Sequence, residues 1–412
     1  MADYFDNRET QDGAEREREL CARLPDLITH AVNNAPSWAE HFSGHNPADI
    51  TSLDAFASLP VLRKPKLMEK QKEQPPFGGF AAAPVSEFGR VFMSPGPIWE
   101  PQPEGDDAWN GARALYAAGF RKGDIVHNVM SYHMTPGGFI LDQAAVALGC
   151  AVFPAGPGNT ETQVQAMQAL QPVGYLGTPD YLKAILDKAD EMGVDLSCIK
   201  RALVSGGALF PSMREDYNKR GISVLQAFAT ADLGCIAYES EAMEGLIVNE
   251  DYIVEIVKPG TNERVPDGDV GEIVVTSFKR NYPLIRFGTG DMSAVLAGQS
   301  SCGRTNMRIK GWMGRADQRT KVKGMFIDPS QVADIEKAVS GLGRLRLEVV
   351  RDGDRDAMVL KCECAAQDDA LRATVEQAVL SICKMKGTVE LVAPDSLPND
   401  GKVIDDLRDY ES

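Results

Sequence analysis

Two charged, glycine-containing motifs lie close together in the second half of the chain. The first, IRFGTGD (Ile285–Asp291), is typical of a strand that ends in a glycine-flanked turn and offers one carboxylate, Asp291. A carboxylate placed there can accept hydrogen bonds from the two neighbouring hydroxyl groups of a ribose. The second, GRADQRTKVKG (Gly314–Gly324), indicates a basic β-hairpin at a junction of the chain. Taken singly, the two motifs also suit an ordinary turn and a solvated basic strand.

A single lysine near the C-terminus is a third candidate. Lys402 follows a Pro-Asn-Asp-Gly turn in LPNDGKVIDDLRDY (Leu397–Tyr410). An ammonium group in this position could neutralise charge that develops at a phosphate during a reaction. Most lysines of this kind are only solvated, so the interpretation depends on the two motifs that precede it.

Together the three segments resemble the adenylate-forming (acyl-CoA synthetase) superfamily, in particular its phenylacetate–CoA ligase-like group, over most of the chain. The resemblance implies that Asp291 binds the ribose of AMP and that Arg315 contacts ribose or phosphate. It also implies that Asp317 is a hinge about which a small C-terminal lid turns.

The lysines acquire roles from the same resemblance. Lys402 matches the lid lysine that acts in adenylation, between the substrate carboxylate and the α-phosphate. Lys321 and Lys323 match a strand that faces the active site during thioester formation. Gly324 matches the position that lines a narrow channel for pantetheine.

The adenine and metal positions are implied by two further segments. LVSGGALFPSMREDY (Leu203–Tyr217) resembles a strand end whose small residues let the adenine ring lie against the backbone. In FATADLG (Phe228–Gly234), Asp232 takes the place of the glutamate that binds Mg²⁺, and Ala231 replaces the usual threonine, so that Thr230 would have to supply its phosphate hydrogen bond. The implied nucleotide contacts are Gly206, Gly207, Ala208, Phe228, Ala229 and Thr230.

The segment FMSPGPIWEP (Phe92–Pro101) departs most from the group, which has a loop rich in serine, threonine and glycine here. Two prolines remove backbone amide donors, and only Ser94 and Gly96 remain of the phosphate-binding chemistry. How the triphosphate is held therefore stays open. We interpret the change as variation within the group.

The acyl site is implied by SYHMTPGGFILDQAAVALGCAVFPAGPGNTETQ (Ser131–Gln163), which resembles the segment that precedes the acyl pocket. The candidates to line the carboxylic-acid site are Tyr132, His133, Pro136 and Gly137. His133 could orient the carboxylate, and a structural histidine is an equal alternative.

Composition narrows the class of protein. The net charge of −16 disfavours nucleic acid and anionic membrane as partners, yet Arg304–Lys323 holds seven basic residues and one acid, which suits a small anion. The acidic, polar N-terminus does not look like a signal peptide, and no run approaches the roughly 20 apolar residues of a membrane span. Eight scattered cysteines favour reduced thiols and a cytoplasmic protein.

The pattern of elements predicts an α/β fold. Strands alternate with helices up to Val204, including a strand at Ala151–Pro154 and helices at Thr160–Leu170 and Pro179–Met192, which indicates mostly parallel sheets. After Ser223, short strands predict a small antiparallel sheet or barrel. We expect a large N-terminal adenylation core (residues 1–316) and a small mobile α+β C-terminal lid (residues 317–412).

The sequence thus predicts an ATP-dependent carboxylic acid:CoA ligase that works through an acyl-adenylate, on an aromatic or arylacetic acid, with ATP, Mg²⁺ and coenzyme A. Two alternatives stay open. One is a ligase-like binding protein that has lost adenylation, and the other is an enzyme that loads the phosphopantetheine of a carrier protein. The oligomeric state is open as well, a homodimer being common among relatives of this length.

Overall fold

The computed structural model describes residues 3–94, 97–207, 209–316, 318, 320–322, 325–352 and 355–407. Three short 3₁₀ helices lie at Asn7–Thr10, Pro47–Asp49 and Val85–Glu87. The α-helices of these residues are α1 (Gly13–Asn34), α2 (Pro36–His41), α3 (Leu53–Ala57), α4 (Lys64–Glu73), α5 (Ala112–Ala117), α6 (Gly137–Leu148), α7 (Thr160–Leu170), α8 (Pro179–Met192), α9 (Pro211–Lys219), α10 (Pro329–Ala338) and α11 (Asp369–Cys383).

The strands are mostly short, and many are buried along their whole length. They are β1 (Leu62–Arg63), β2 (Val91–Ser94), β3 (Ile98–Pro101), β4 (Ile125–Asn128), β5 (Ala151–Pro154), β6 (Gly174–Gly177), β7 (Arg201–Val204), β8 (Ser223–Thr230), β9 (Gly234–Glu239), β10 (Leu246–Val248), β11 (Tyr252–Val257), β12 (Gly271–Ser277), β13 (Phe287–Ser293), β14 (Val295–Leu296), β15 (Arg308–Ile309), β16 (Thr320–Val322), β17 (Met325–Ile327), β18 (Leu342–Asp352), β19 (Arg355–Cys364), β20 (Thr388–Val392) and β21 (Ile404–Asp406).

One large mixed sheet has the strand order β14–β15–β10–β9–β8–β7–β6–β4–β5. The strands from β5 to β8 in this order are parallel, whereas β8, β9, β10 and β15 pair antiparallel. The antiparallel pairing predicted after Ser223 is therefore confirmed for β8, β9 and β10, but the prediction that they form a small sheet or barrel is wrong, because they extend the large sheet. Their mostly apolar sequences suit strands that have a neighbour on each side, whether that neighbour runs parallel or antiparallel.

The predicted helices α7 and α8 and the strand β5 have the predicted bounds. In α8 the buried residues Leu182, Ile185, Leu186 and Ala189 recur at helical spacing, with Pro179 in the first turn and Gly193, in a left-handed conformation, as the C-cap. Local sequence therefore sets both ends of this helix and its buried face.

The chain divides into two compact units. The first unit comprises residues 1–254, 275–287 and 296–311, and the second comprises residues 255–274, 288–295 and 312–412. A four-stranded sheet has the order β1–β13–β12–β11. The domain boundary predicted between residues 316 and 317 stays a prediction.

The second unit has a core of its own. Its sheet has the order β20–β19–β18–β21, and β16 and β17 form a separate antiparallel hairpin. Side chains of the helices α10 and α11 pack with those of the sheet, among them Ile335, Leu347, Leu360 and Val379. Helices and strands thus alternate in this part of the chain, as the predicted α+β architecture requires.

Two global findings concern the described residues. None of their helices is both long enough and apolar enough to traverse a bilayer. All eight cysteines are free, seven of them buried.

Candidate functional site

The carboxyl ends of the parallel strands bring two predicted segments of the first unit together. Gly206 follows β7, and a side chain built on it would lie 3.6 Å from Met130 Cε, two residues before Tyr132. Parallel strands end at the same edge of a sheet, where open α/β folds bind their ligands. Gly206 has a φ of +71°, which favours glycine there, and Gly207 is exposed beside it.

The next predicted segment forms the end of β8. Phe228 is buried, Ala229 and Thr230 are half-buried, and the pairing with β9 is irregular between Phe228 and Ala229. The hydroxyl oxygen of Thr230 accepts a hydrogen bond from the backbone N–H of Leu233 at 3.2 Å. That bond leaves the O–H of Thr230 as a donor.

Tyr132 is fixed by hydrogen bonds on both sides of its hydroxyl group. It donates to Asp142 Oδ2 at 2.8 Å and accepts from Asn128 Nδ2 at 2.7 Å. Burial and the bond to Asp142 raise the pKa of Tyr132, so the phenol stays neutral. His133 is exposed, Pro136 is the buried residue before α6, and Gly137 begins that helix.

A buried cluster joins Asp232 to the unusual proline-containing segment. Asp232 Oδ2 lies 2.8 Å from Lys64 Nζ, and the Asp232 side chain is only 2% exposed. Ser94, at the end of β2, donates from its hydroxyl to Glu100 Oε1 at 2.7 Å. Burial, together with the negative charge of Asp232, raises the pKa of Glu100 to about 8.

Lys64 and Glu100 were not predicted from the sequence. Glu100 is the only acid of FMSPGPIWEP, which is the one signal that could have identified it. Lys64 lies at the start of α4, far from the motifs along the chain, and only the fold brings it to Asp232.

The acid pair has the chemistry of a site for a hard cation. Glu100 Oε2 and Asp232 Oδ1 are buried, and neither has a hydrogen-bond partner. Among the described residues, no group of three or more His, Cys, Asp or Glu side chains is arranged to hold a metal. A Mg²⁺ ion here would therefore need phosphate and water oxygens for its remaining ligands, as Mg²⁺ commonly does.

In the second unit the structure brings Asp291 and Arg315 together. Arg315 Nη1 lies 3.1 Å from Asp291 Oδ1, and the two residues also form an antiparallel β-bridge. Trp312 Nε1 donates to the same oxygen at 2.9 Å. One carboxylate oxygen thus accepts from the guanidinium of Arg315, in the second motif, and from the indole of Trp312, two residues before that motif.

The predicted turn at Asp291 is wrong, because β13 continues through Asp291 to Ser293. The segment from Met313 to Ala316 pairs with it, through bonds such as Ala316 N to Gly290 O at 2.8 Å. Gly290 has a φ of +77°, and a side chain there would come within 2.7 Å of Arg315 Nη2. The glycine therefore leaves room for the Arg315 side chain, and it does not end the strand.

Lys402 lies in the turn before β21. Its ammonium group pairs with Asp405 Oδ1 at 2.9 Å, and its side chain is 49% exposed. The turn borders a cleft of ≈ 300 Å³ within the second unit, together with Val270, Arg346 and Asn399. An exposed ammonium with one carboxylate partner can be redirected to a phosphate.

The remaining predicted residues lie wholly or partly outside the described part of the structure. Lys321 has its backbone in β16, paired with Phe326, and its side chain is not described. The other residues lie outside the described ranges: Gly96, Ala208, Asp317, Lys323 and Gly324.

Known proteins similar to this chain are acyl-CoA ligases. A phenylacetate-coenzyme A ligase of Pseudomonas putida is 31% identical over 375 residues, covering 86% of this chain and 84% of that protein. One of Aromatoleum evansii is 32% identical over 359 residues, covering 83% of this chain and 80% of that protein. The chain belongs to the AMP-forming acid–CoA ligases. No protein-family model matches it.

Solved structures agree with this family and its fold. A 2-hydroxyisobutyryl-CoA ligase in complex with 2-HIB-AMP and CoA, in the thioesterification state, matches with a TM-score of 0.71 and 26% identity, covering 98% of this chain and 92% of that chain. The same ligase in the postadenylation state with 2-HIB-AMP gives a TM-score of 0.73 and 28% identity, with the same coverage. The predicted superfamily, the ligase class and the α/β fold are thereby confirmed.

Proposed function

We propose that this ligase activates a carboxylic acid with ATP and transfers the acyl group to coenzyme A. The observation that carries the proposal is the contact between Asp291 and Arg315, since it joins the two motifs of the second unit at one carboxylate. The relatives named as CoA ligases supply the second support.

The reaction proceeds in two steps. In the first, a carboxylate oxygen of the acid attacks the α-phosphorus of ATP, the bond to the bridging oxygen breaks, and pyrophosphate leaves. In the second, the thiolate of coenzyme A attacks the acyl carbonyl of the adenylate, and AMP leaves with the electron pair of the broken ester bond.

The residues of this chain have separate tasks in these steps. Asp291 accepts hydrogen bonds from the ribose hydroxyls, and Arg315 steadies the ribose or the phosphate. Gly206, Gly207 and Phe228 hold the adenine ring. Lys402 faces the charge that develops at the α-phosphate, where a preorganised cation lowers the barrier.

Asp232 and Glu100 would hold Mg²⁺, since both have buried carboxylate oxygens without a hydrogen-bond partner. When bound, the ion would neutralise charge on the phosphate oxygens. Ser94 orients Glu100, and Lys64 balances the charge of Asp232 before the nucleotide arrives.

The substrate we propose is an aromatic or arylacetic acid. The ring of Tyr132 lies 5.1 Å from that of Phe139, edge to face, and Phe139 lies 5.3 Å from Phe92. Fixed aromatic rings of this kind favour an apolar, ring-shaped acyl group. The relatives named for phenylacetate support this class of acid.

The finer features of the fold belong to the same proposal. Residues 317–412 form a mobile lid that turns at Asp317, so that Lys402 acts in adenylation and Lys321 in thioester formation. Lys323 and Gly324 then line the channel for pantetheine. A homodimer remains a prediction.

The test uses the purified protein with ATP, Mg²⁺ and phenylacetate, benzoate or 2-hydroxyisobutyrate. We expect pyrophosphate release with an aromatic acid and a CoA thioester when coenzyme A is added. Pyrophosphate release without any thioester would favour a carrier-protein acceptor. No release with any acid, in a folded protein, would favour the adenylation-deficient binding protein.

A further inference from the structure

The side-chain amide of Gln318 is bound to the backbone of the turn that carries Lys402. Its Nε2 donates to the carbonyl of Gly401 at 2.8 Å, and its Oε1 accepts from the N–H of Ile404 at 2.7 Å. The N–H of Val403 donates to the same Oε1. Gln318 therefore holds the backbone on both sides of Lys402.

The rest of the turn is also fixed, apart from the lysine side chain. Asp400 Oδ1 accepts from the N–H of Lys402 at 3.0 Å, and the buried Arg346 pairs with Asp400. A side chain at Gly401, whose φ is +71°, would come within 2.4 Å of Val270. The backbone from which the Lys402 side chain extends is thus held by its neighbours in the turn, to which Gln318 makes three hydrogen bonds.

Gln318 also connects this turn to the start of the hairpin. It lies one residue after Asp317, and Thr320, two residues further, donates to Asp406 Oδ2 at 2.7 Å. Gln318 and Thr320 thereby contact the beginning and the end, respectively, of the segment from Gly401 to Asp406.

We propose that Gln318 is a positioning residue, which fixes the Lys402 turn so that the ammonium is presented for adenylation. This inference rests on the proposed role of Lys402. An amide suits the task because it offers a donor and an acceptor on one planar group. A carboxylate would retain the acceptor but would face the carbonyl of Gly401 without a proton to donate.

The experiment measures the two half-reactions separately in the full-length protein. For Gln318→Ala we expect pyrophosphate release to fall by about 10- to 100-fold, since a small misplacement of a catalytic group has an effect of this size. Thioester formation from a supplied acyl-adenylate should stay within about twofold of the wild-type rate. Lys402 is proposed to act in adenylation only, so misplacing it should not slow the second half-reaction. Gln318→Glu serves as a second variant, with a loss in the same half-reaction.

Gln331→Ala is the matched control. Gln331 lies in the same unit, accepts from the N–H of Asp328 at 2.9 Å and donates to the carbonyl of Ile382 at 3.1 Å. It makes the same kind of contacts as Gln318 away from Lys402. If Gln331→Ala and Gln318→Ala lower both half-reactions alike, Gln318 is merely structural and the proposal is wrong.

A double-mutant cycle with Lys402→Ala gives the deciding result. If Gln318 acts through Lys402, adding Gln318→Ala to Lys402→Ala causes no further loss of pyrophosphate release. Losses that multiply would overturn the proposal. Normal adenylation by Lys402→Ala alone would overturn the proposed role of the lysine, and the positioning role with it.

Discussion

Trp312 Nε1 and Asp291 Oδ1 are 2.9 Å apart, and Arg315 reaches the same oxygen at 3.1 Å. Among the described residues, no other side chain donates to this carboxylate. A ribose that binds Asp291 through both hydroxyls therefore has to share Oδ1 with these donors or displace one of them. The indole is 58% exposed, so it is the donor that can leave with little loss of packing.

The first prediction concerns Asp291 itself. Asp291→Ala should weaken the binding of ATP and AMP by about 1–3 kcal/mol, because polar partners lose their hydrogen bonds. Calorimetric titration of AMP measures this change. Asp395→Ala, at an exposed acid of the same unit, is the control and should bind AMP normally. Equal affinities for all three proteins would remove Asp291 from the nucleotide site.

The second prediction concerns Trp312. Trp312→Phe keeps an aromatic ring but removes the N–H that competes for Oδ1, so we expect AMP to bind more tightly, by about 1 kcal/mol. Wild-type fluorescence should change more on binding AMP than the variant's, because Trp38 and Trp109 are buried and only Trp99, which is 37% exposed, remains as a reporter in the variant. Weaker binding by the variant would show that the indole stays on Asp291 and supports the ribose.

Much of the fold could be predicted where local sequence determines it. The helix Pro179–Met192 has a proline in its first turn, a glycine after its end and apolar residues at helical spacing. The strand partners could not be predicted in this way. The strand Ser223–Thr230 is mostly apolar, and such a sequence does not reveal that one neighbour is parallel and the other antiparallel.

The residues of the candidate site were likewise predictable only in part. The resemblance predicted Asp291 and Arg315, which the structure places in contact. It did not predict Lys64 or Gln318, because a lysine or a glutamine has many surface uses and carries no local signal of its partner. Their contacts with Asp232 and with Gly401 depend on tertiary folding alone.

The third prediction concerns the buried pair of Lys64 and Asp232. Lys64→Met leaves the Asp232 carboxylate without its cation in a buried place, and this should destabilise the first unit by about 3–5 kcal/mol. Urea unfolding followed by tryptophan fluorescence measures the loss. Lys66→Met is the matched control, since Lys66 pairs with the exposed Glu69.

The ion pair of Lys64 and Asp232 can also be tested by removing both of its charges. Asp232→Asn in the Lys64→Met background should recover part of the lost stability, because the unpaired charge is gone. At the same time the double variant should need more Mg²⁺ for pyrophosphate release if Asp232 is a ligand. Loss of stability without recovery in the double variant would mean that Lys64 matters through other contacts.

The last prediction separates the two lysines of the proposed lid. Lys402→Ala should lower pyrophosphate release by about 10²–10³-fold, the usual effect of losing one preorganised electrostatic contact, and should still convert a supplied acyl-adenylate to thioester. Lys321→Ala should show the opposite bias, because a lid that turns at Asp317 presents one lysine at a time. Lys337→Ala, an exposed lysine that pairs with Glu263, is the control and should leave both half-reactions unchanged. Equal losses in both half-reactions for Lys402→Ala would argue against alternation, since a residue used only in the first transition state cannot slow the second.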